Sequence, residues 1–520
     1  MASTHLFTFL YTHALAVVLL GKAIYTLYFH PLAKYPGPFL AKFTNLYASY
    51  HAWKGDIHLD MWRCHQSYGD YVRYTPDAIL FNNAKALKDI YSSGSNVRKS
   101  KCYGPMVHRA PNTLTIRDNK EHSRRRRIMG QGVSQSAQRG YEPRIISHIN
   151  GLCSNFTAQI GSSSSGWTEP LDIASWGNYL SFDIMADVVF SAAYNLVGDA
   201  RFRYVCEAID ASNVRVSTLI QAPSLAGWKL DKYVFPSAIK ARNRFVKFVS
   251  RVVKERMEKK EKTDTTGADL FSNLVAAKDP ETGLGFRPQE IGAESTTLIV
   301  AGSDTTSTSI ASVFFYLSHN QGALQRAAQE VREKFSSQEE ITMGPTLNGC
   351  TYLRACIDES MRMSPAVGSS LWREVSDGGA TIDGHYIPAG YDVGTGIYSI
   401  HHSAAYYEEP FEYRPERWLV GEGGATKASV DLAHSAFNPF SIGPRGCLGK
   451  GLALTEVMLA MATFLFVFDF KLAEGNLGRV GEGKAGNETG RHRDHEYQLY
   501  DHVTSTKKGP FIQFALRKPL

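Results

Sequence analysis

The sequence predicts a single, mainly α-helical domain with small β-sheets behind an apolar N-terminal segment. Apolar residues recur with helical spacing through the centre and towards the end of the chain. The sequence has no internal repeat, and no Gly/Ser-rich linker is long enough to separate domains. Strand-like patterns are confined to four short stretches: residues 71–74, 78–81, 380–382 and 511–515.

The composition is that of an ordinary globular protein with an ample core. Of the 520 residues, 43% are hydrophobic and 21% are charged, and the formal net charge is +7. This charge favours solubility, or docking to an acidic partner or an anionic membrane surface. No basic tail is present, which disfavours nucleic-acid binding. The seven cysteines are odd in number and form no Cys-x-x-Cys pair, which argues against a disulfide framework or a zinc site and for a reducing compartment.

The N-terminal segment is the exception to a soluble composition. Residues 6–28 are largely apolar and aromatic, and about 20 such residues span a bilayer as a helix. The segment lacks the positive start and small-residue cleavage site of a secretory signal peptide. Its flanking basic residues lie towards the C-terminal side, which by the positive-inside rule leaves the body in the cytosol: Lys22, His30, Lys34 and Lys42.

We therefore predict a membrane anchor over residues 1–29 and a globular body over residues 30–520. The helix-breaking residues 35–38, Tyr-Pro-Gly-Pro, begin the globular part. The alternative is an amphipathic helix on the membrane surface, which the charge of Lys22 within the segment favours.

The apolar periodicity predicts one long helix over residues 291–318, roughly 40 Å at 1.5 Å per residue. Its middle, residues 301–306, reads Ala-Gly-Ser-Asp-Thr-Thr. A glycine inside a helix costs about 1 kcal/mol relative to alanine, and Ser or Thr hydroxyls bond the carbonyl one turn back and bend the helix. These residues can open a groove for a small ligand and water. The alternative is close helix packing.

Residues 440–449 place one cysteine in a tight, glycine-flanked loop ahead of a helical apolar pattern. Gly443 and Gly446 permit backbone conformations that are closed to other residues, and Gly449 lets a ligand approach the backbone closely. Cys447 would lie near a helix N-terminus, where N–H groups and the helix dipole stabilise a thiolate. The loop suits a thiolate held beneath a large flat cofactor. The alternative is one more buried free cysteine.

This loop resembles the haem-binding loop of the cytochrome P450 family. Its pattern, Phe-x-x-Gly-x-Arg-x-Cys-x-Gly, is matched at every fixed position by Phe440, Gly443, Arg445, Cys447 and Gly449. The resemblance implies the P450 fold, a haem b cofactor (iron protoporphyrin IX) in contact with these residues, and Cys447 as the axial ligand of the haem iron.

The middle of the predicted long helix is similar to the oxygen-binding motif of the same family, Ala/Gly-Gly-x-Asp/Glu-Thr-Thr/Ser. The resemblance implies that Ala301 and Gly302 border the cofactor, that Thr305 hydrogen-bonds dioxygen and that Asp304 relays protons. Cleavage of the O–O bond to water requires two protons, which an acid–alcohol pair can deliver while the groove limits bulk water.

Two further sets of residues match family positions. Glu359 and Arg362 are three apart on one helical face, and with Arg417 they resemble the Glu-Arg-Arg triad that braces the core on the cysteine side of the haem. Glu359 and its partners would therefore be structural.

The two haem carboxylates need cations, and the candidates are Arg445, Arg373 and Arg126. Most family members have Trp where His122 stands; histidine can still donate a hydrogen bond to a haem carboxylate, with a charge that depends on pH. The four arginine side chains of residues 124–127 point in different directions around one helix, so at most two of them can face a cofactor.

The resemblance also indicates the segments that contact a substrate: residues 102–114, 207–231, 295–301 and 365–370. They carry few charges near the pocket floor, which predicts a small, mainly hydrophobic substrate. His108, Arg109 and Asn112 are candidates for polar contacts.

The chain has no convincing flavin- or nicotinamide-binding sequence, because Pro288 stands where the third glycine of a Gly-x-Gly-x-x-Gly fingerprint should follow Gly283 and Gly285. Electrons would come from a separate, membrane-bound NADPH–cytochrome reductase, with cytochrome b5 as a further candidate partner. We predict a monooxygenase of the endoplasmic reticulum membrane that faces the cytosol and serves secondary metabolism. The alternatives are a haem-thiolate isomerase or dehydratase without external electrons, and a non-catalytic haem sensor.

Overall fold

A computed structural model describes residues 2–107, 110–260, 269–487 and 489–517. His108 and Arg109 therefore lie outside the described residues. The described part contains these α-helices: α1 Ala2–Ile24, α2 Leu46–Lys54, α3 Ile57–Tyr68, α4 Ala84–Tyr91, α5 Asn119–Gly132, α6 Gln135–Gly161, α7 Ile173–Phe190, α8 Tyr204–Gln221, α9 Ser224–Gly227, α10 Asp231–Val234, α11 Pro236–Lys260, α12 Leu270–Ala276, α13 Pro288–His319, α14 Gln321–Lys334, α15 Pro345–Asn348, α16 Thr351–Met363, α17 Ile397–His401, α18 Lys427–Ala436 and α19 Lys450–Val467.

The strands are short: β1 Tyr71–Thr75, β2 Ala78–Phe81, β3 Val97–Lys99, β4 Leu171–Asp172, β5 Arg373–Val375, β6 Ala380–Ile382, β7 His385–Ile387, β8 Asp392–Gly394, β9 Phe468–Leu472, β10 Tyr500–His502, β11 Thr504–Thr506 and β12 Phe511–Leu516. They form a five-stranded sheet in the order β1-β2-β8-β5-β3, a three-stranded sheet β4-β12-β9, and the hairpins β6-β7 and β10-β11. Only the β2–β8 pair of the five-stranded sheet is parallel among the described strands.

The predicted fold class, mainly α with small sheets, is confirmed, and each of the four predicted strands is present. The sequence pattern does not predict the other eight, because they are only two to five residues long. An alternation of period two cannot be recognised reliably over so few residues.

Helix α13 runs through the middle of the largest core cluster, packed against α7, α16 and α19. It is longer than predicted because Pro288 occupies its first turn and the Glu290 carboxylate accepts from the Arg287 backbone N–H at 2.8 Å. Helix α19 is apolar all round and buried, as expected of a helix in the centre of a core.

Helix α1 continues into a π-helical turn, Tyr25–Phe29, and most of its large apolar side chains from Phe9 onwards are exposed. Thr8–Phe29 is long and apolar enough to cross a membrane; α19 also meets that criterion but is mostly buried in the protein. The helical run ends ahead of the Pro-rich residues 35–38. The exposed apolar surface is therefore compatible with a membrane anchor.

Candidate active site

The cysteine loop is closed by its own backbone. The Cys447 N–H donates to the Phe440 carbonyl at 2.8 Å, and the Gly446 N–H donates to the Gly443 carbonyl at 3.0 Å. Gly443 has φ +70°, and a Cβ there would lie 2.0 Å from the Tyr91 carbonyl oxygen, so this position requires glycine. The same prediction for Gly446 is wrong, since its φ of −63° is open to other residues.

Cys447 has accessible surface although protein surrounds it closely. Both facts fit a side chain that lines a cleft inside the protein. Burial raises the pKa of the Cys447 thiol, although the backbone N–H groups of Gly449 and Lys450 and the charge of Arg126 lower it. The expected N–H groups are thus present, but they do not by themselves favour the thiolate. Coordination of a metal ion would supply the remaining stabilisation, because it deprotonates a thiol.

The middle of α13 also faces open space. Ala301 is exposed within a helix that is otherwise largely buried, and the Thr305 hydroxyl, one turn on, donates to the Ala301 carbonyl at 2.7 Å. The predicted bond to the preceding turn is therefore present. Gly302 faces α7 instead, because a Cβ there would lie 2.5 Å from Met185 Cε. Close helix packing explains that glycine.

Asp304 points away from the cleft. Its carboxylate accepts hydrogen bonds from the Asn213 amide at 3.3 Å and from the Thr504 hydroxyl, on α8 and β11. Burial raises the pKa of Asp304. Among the described contacts, no hydrogen bond joins Asp304 to Thr305, so the structure does not form the acid–alcohol pair that the motif led us to expect.

A second carboxyl accompanies Asp304. Asp210 on α8 and Asp304 line one cavity of about 10 Å³, room for about one water molecule. Burial and the Asp304 charge raise the pKa of Asp210 to about 7, while the Lys507 ammonium lowers it. Asp210 is half-buried and Asp304 is buried, so the two carboxyl groups form a path from the surface to α13. Sequence reasoning missed Asp210, since nothing local distinguishes it.

Glu359, Arg362 and Arg417 are in direct contact, and we call them the brace. Arg362 donates to both oxygens of Glu359 at 2.9 Å, and Arg417 Nε donates to Oε1 at 2.9 Å. The Arg414 backbone N–H and the Trp418 indole N–H each donate a further hydrogen bond to the Glu359 carboxylate, at 3.0 Å. Although burial raises the pKa of Glu359, its arginine partners lower it on balance.

The brace connects to the cysteine loop. Arg362 Nη1 donates to the His401 carbonyl at 2.8 Å, and His401 Nε2 accepts from the Asn438 N–H at 3.0 Å. Asn438 lies two residues before Phe440, where the cysteine loop begins. A displaced brace would therefore displace the loop.

The predicted cations converge on another group, which we call the cationic cluster: Lys99, Arg126, Arg373 and Arg445, with His122 among them. Register places Lys99 directly opposite Arg373 on the antiparallel strands β3 and β5. Like charges in that arrangement repel. Sequence reasoning missed Lys99, because three-residue β3 was not predicted.

The cluster has no carboxylate partner within ion-pair distance in the part of the chain that the structure describes. Its arginines donate to carbonyl oxygens and to the Asn119 side chain, and Lys99 Nζ lies 3.8 Å from the Tyr103 ring centre. Burial and the Arg373 charge lower the pKa of Arg445 to about 10. Buried cations without anions favour a bound dianion, and the two carboxylates of haem fit this requirement.

Burial and the surrounding cations, Arg445 foremost, lower the pKa of His122 to about 3. At that pKa the imidazole is neutral near pH 7, and carboxylates bound at the cluster would raise the pKa again. A neutral imidazole still carries one N–H donor.

Helix α5 links the two sides of the cleft. Arg125 pairs with Glu290 of α13 at 2.7 Å, whereas Arg126 donates to the Gly446 carbonyl of the cysteine loop at 2.8 Å. Arg124 and Arg127 bind Glu121 and Asp279. Of the run 124–127, only Arg126 reaches the loop, within the predicted maximum of two.

Comparison with known proteins agrees with this geometry. A family model described as Cytochrome P450 matches residues 35–480. The chain is 48% identical to the cytochrome P450 monooxygenase AKT7 of Alternaria alternata over 96% of each chain. It is 47% identical to the cytochrome P450 monooxygenase poxM of Penicillium oxalicum, over 96% of this chain and 93% of that one. It is 44% identical to the cytochrome P450 monooxygenase atnE of Emericella nidulans, over 97% and 96% respectively. The cysteine loop, the long helix above it and these similarities together show that the chain belongs to the cytochrome P450 family and is a monooxygenase.

Proposed function

We propose that this chain is an anchored haem-thiolate monooxygenase that hydroxylates or epoxidises a small hydrophobic molecule in secondary metabolism. The observation that carries the proposal is the accessible Cys447 beside a cationic cluster that has no carboxylate within ion-pair distance in the described part of the chain. A thiolate and a group of cations on one side of a cleft suit a flat, dianionic iron cofactor. The relatives named above are monooxygenases of fungi, which supports a role in fungal secondary metabolism.

Each set of residues has a task in this proposal. Cys447 would ligate the iron, and Phe440, Gly443 and Gly449 would shape the loop around it. Lys99, Arg126, Arg373, Arg445 and the His122 N–H would hold the carboxylates. Ala301 would leave room above the cofactor plane. The brace would keep the loop in place.

Haem, when bound, supplies the activation of dioxygen with electrons from outside the chain. The Thr305 hydroxyl lies on the side of α13 that faces open space, and it donates a hydrogen bond to the Ala301 carbonyl. Asp304 holds a proton more readily than an exposed aspartate, because burial raises its pKa. A change of side-chain rotamer would bring that proton to the Thr305 side, and Asp210 would then resupply Asp304 from the surface.

The electron donor that fits the proposal is a separate NADPH–cytochrome reductase, with cytochrome b5 as a further candidate. Lys450 is exposed at the end of the cysteine loop and is available to an acidic partner. Arg445 faces the cationic cluster instead. Thr8–Phe29 would hold the protein in the endoplasmic reticulum membrane, with residues 30–520 on the cytosolic side.

The test is a carbon monoxide difference spectrum of the reduced full-length protein in microsomes. We expect the strongly red-shifted Soret band of thiolate-ligated haem, and we expect Cys447→Ser to abolish it. Cys206→Ser is the matched control and should retain the band, because Cys206 lies on α8 and is not part of the cysteine loop. A band typical of histidine-ligated haem in the unaltered protein, or an unchanged band in Cys447→Ser, would overturn the proposal. NADPH-independent turnover would favour an isomerase or dehydratase instead.

A further inference from the structure

The cavity between Asp210 and Asp304 joins two carboxyl groups that α8 and α13 bring together. Both described hydrogen bonds to Asp304, from Asn213 and Thr504, are made to its Oδ2 atom. The Oδ1 atom has no hydrogen bond among the described contacts, so it can bond a water molecule, for which the cavity has room. One water molecule can bridge two polar groups, and it can pass a proton between these carboxyl groups.

One ammonium group lies beside the two carboxyl groups. Lys507 Nζ donates to the Asn178 and Ser307 side chains at 2.8 Å each, and Asn178 lines the same cavity. Burial raises the pKa of both carboxyl groups, whereas the Lys507 charge lowers it. Two carboxylates in one site repel each other, and a single ammonium balances only one of them. The second carboxyl group is therefore favoured in its protonated form.

The other groups around the two carboxyl groups contribute little charge. Glu207, one turn before Asp210 on α8, is exposed, and its charge raises the pKa of Asp210 less than that of Asp304 does. Cys206 lines the cavity, but burial raises the pKa of its thiol, which stays neutral. Helix α11 packs against α8, yet none of its charged residues acts on Asp210 in the described part of the chain.

We propose that Asp210 and Asp304 share a single proton through one bridging water molecule, and that Lys507 keeps the number of shared protons at one. This inference rests on the proposed monooxygenase function and adds to it how the proton supply is set. When Asp304 has given up its proton, the proton on the Asp210 carboxyl oxygen crosses the water to an Asp304 oxygen. Bulk water then returns a proton to the half-buried Asp210, and no electrons move in this exchange. Lys507 is a positioning residue, because it acts only through the two carboxyl groups.

The first experiment measures the shared proton by infrared spectroscopy of the haem-loaded full-length protein with isotopically labelled aspartate. Subtracting the Asp210→Asn spectrum from that of the unaltered protein cancels the other aspartates and leaves the carbonyl stretch of the shared acid. We expect this band to disappear with a midpoint near the Asp210 pKa of about 7. The same subtraction in a Lys507→Met background should raise the midpoint by about one pH unit or more, because the balancing charge is gone. Lys508→Met is the matched control and should leave the midpoint unchanged, because Lys508 is exposed.

The second experiment asks whether this proton is used. With NADPH, the reductase and no added substrate, reduction of dioxygen to water consumes more protons than release of hydrogen peroxide. The share of NADPH recovered as hydrogen peroxide should rise as the pH passes the midpoint, and Asp210→Asn should show the high share at every pH. Lys507→Met should move the profile to higher pH, which tests the inference without a change to Asp210. Glu207→Gln is the matched control for Asp210→Asn and should follow the unaltered protein.

A difference band that is absent below pH 7, or a midpoint that does not respond to Lys507→Met, would overturn the inference. A peroxide profile of Asp210→Asn that matches the unaltered protein would overturn it as well. In each case an intact carbon monoxide spectrum would leave the proposed function standing.

Discussion

The brace and the cationic cluster are both built around buried basic side chains, yet their electrostatics are opposite. In the brace, the Glu359 carboxylate accepts five hydrogen bonds from the surrounding side chains and backbone. In the cluster, Lys99 and Arg373 face each other across two strands, without a carboxylate in ion-pair contact in the described structure. In the brace every charged side chain has a partner of opposite charge. In the cationic cluster no basic side chain has such a partner among the described residues.

This difference separates residues that hold the fold from residues that hold a ligand. A buried ion pair with all its hydrogen bonds made is close to neutral for stability, but loss of one partner is costly. Buried cations without a partner oppose folding until an anion binds, after which they favour the complex. The two groups thus lead to opposite expectations for the same kind of substitution.

The largest effect is expected from Glu359→Gln. It leaves Arg362 and Arg417 without their anion in a buried site, at a cost of about 3–5 kcal/mol of unfolding free energy. Denaturant unfolding and the yield of haem-loaded protein measure it. Glu374→Gln is the matched control, because Glu374 also binds two arginines, which are 41% and 40% exposed. Water can solvate these arginines once the carboxylate is lost, so we expect the unfolding free energy to fall by about 1 kcal/mol or less. Equal losses in both variants would mean that the burial of the arginine partners does not set the cost of losing the carboxylate.

A smaller effect is expected from Lys99→Met, which should stabilise the haem-free chain but weaken haem binding. The haem-free chain should become more stable, because an unpartnered buried cation is replaced by an apolar side chain of similar length. The affinity for haem should fall by about 10- to 100-fold, the value of one charge-assisted hydrogen bond. Thermal melts of haem-free and haem-loaded protein, with the rate of haem transfer to an acceptor protein, measure both.

Lys101→Met is the matched control for Lys99→Met. Lys101 is two residues away and exposed, so it should change neither stability nor haem affinity. If Lys99→Met destabilised the haem-free chain, Lys99 would belong with the brace as a residue that holds the fold.

The same contrast explains what the sequence could predict. The brace and the cysteine loop are encoded locally: Glu359 and Arg362 share one helix, and residues 440–449 are contiguous. The long helix was likewise predictable, because 3.6-residue periodicity persists over many turns. The pairing of Lys99 with Arg373 depends on the register of two three-residue strands. The local sequence pattern does not encode that register.

The orientation of Asp304 is also set by a long-range contact. Asp304 bonds to Thr504, 200 positions along the chain, and this contact turns it away from Thr305. Motif matching gives residue types and their order, but not the rotamer of Asp304. That rotamer follows from packing between distant segments.

The smallest and most specific effect is the pH dependence of the Lys99→Met gain. Burial, with the charges of Arg373 and Arg445, lowers the pKa of Lys99 in the folded chain well below its usual value, which is about 10.4. Between the two values the unfolded chain binds more protons than the folded one. The stability of the unaltered, haem-free chain therefore rises with pH in that window.

The gain from Lys99→Met should accordingly shrink as the pH rises towards 10, by at most about 1.4 kcal/mol per pH unit. Urea unfolding of both haem-free chains at several pH values between 7 and 10 measures this difference, and contributions from other groups cancel in it. In haem-loaded protein the carboxylates would restore the Lys99 charge, so the slope should disappear. A difference that stays constant with pH in the haem-free chains would mean that Lys99 is charged there as well, and that the cluster tolerates its repulsion without an anion.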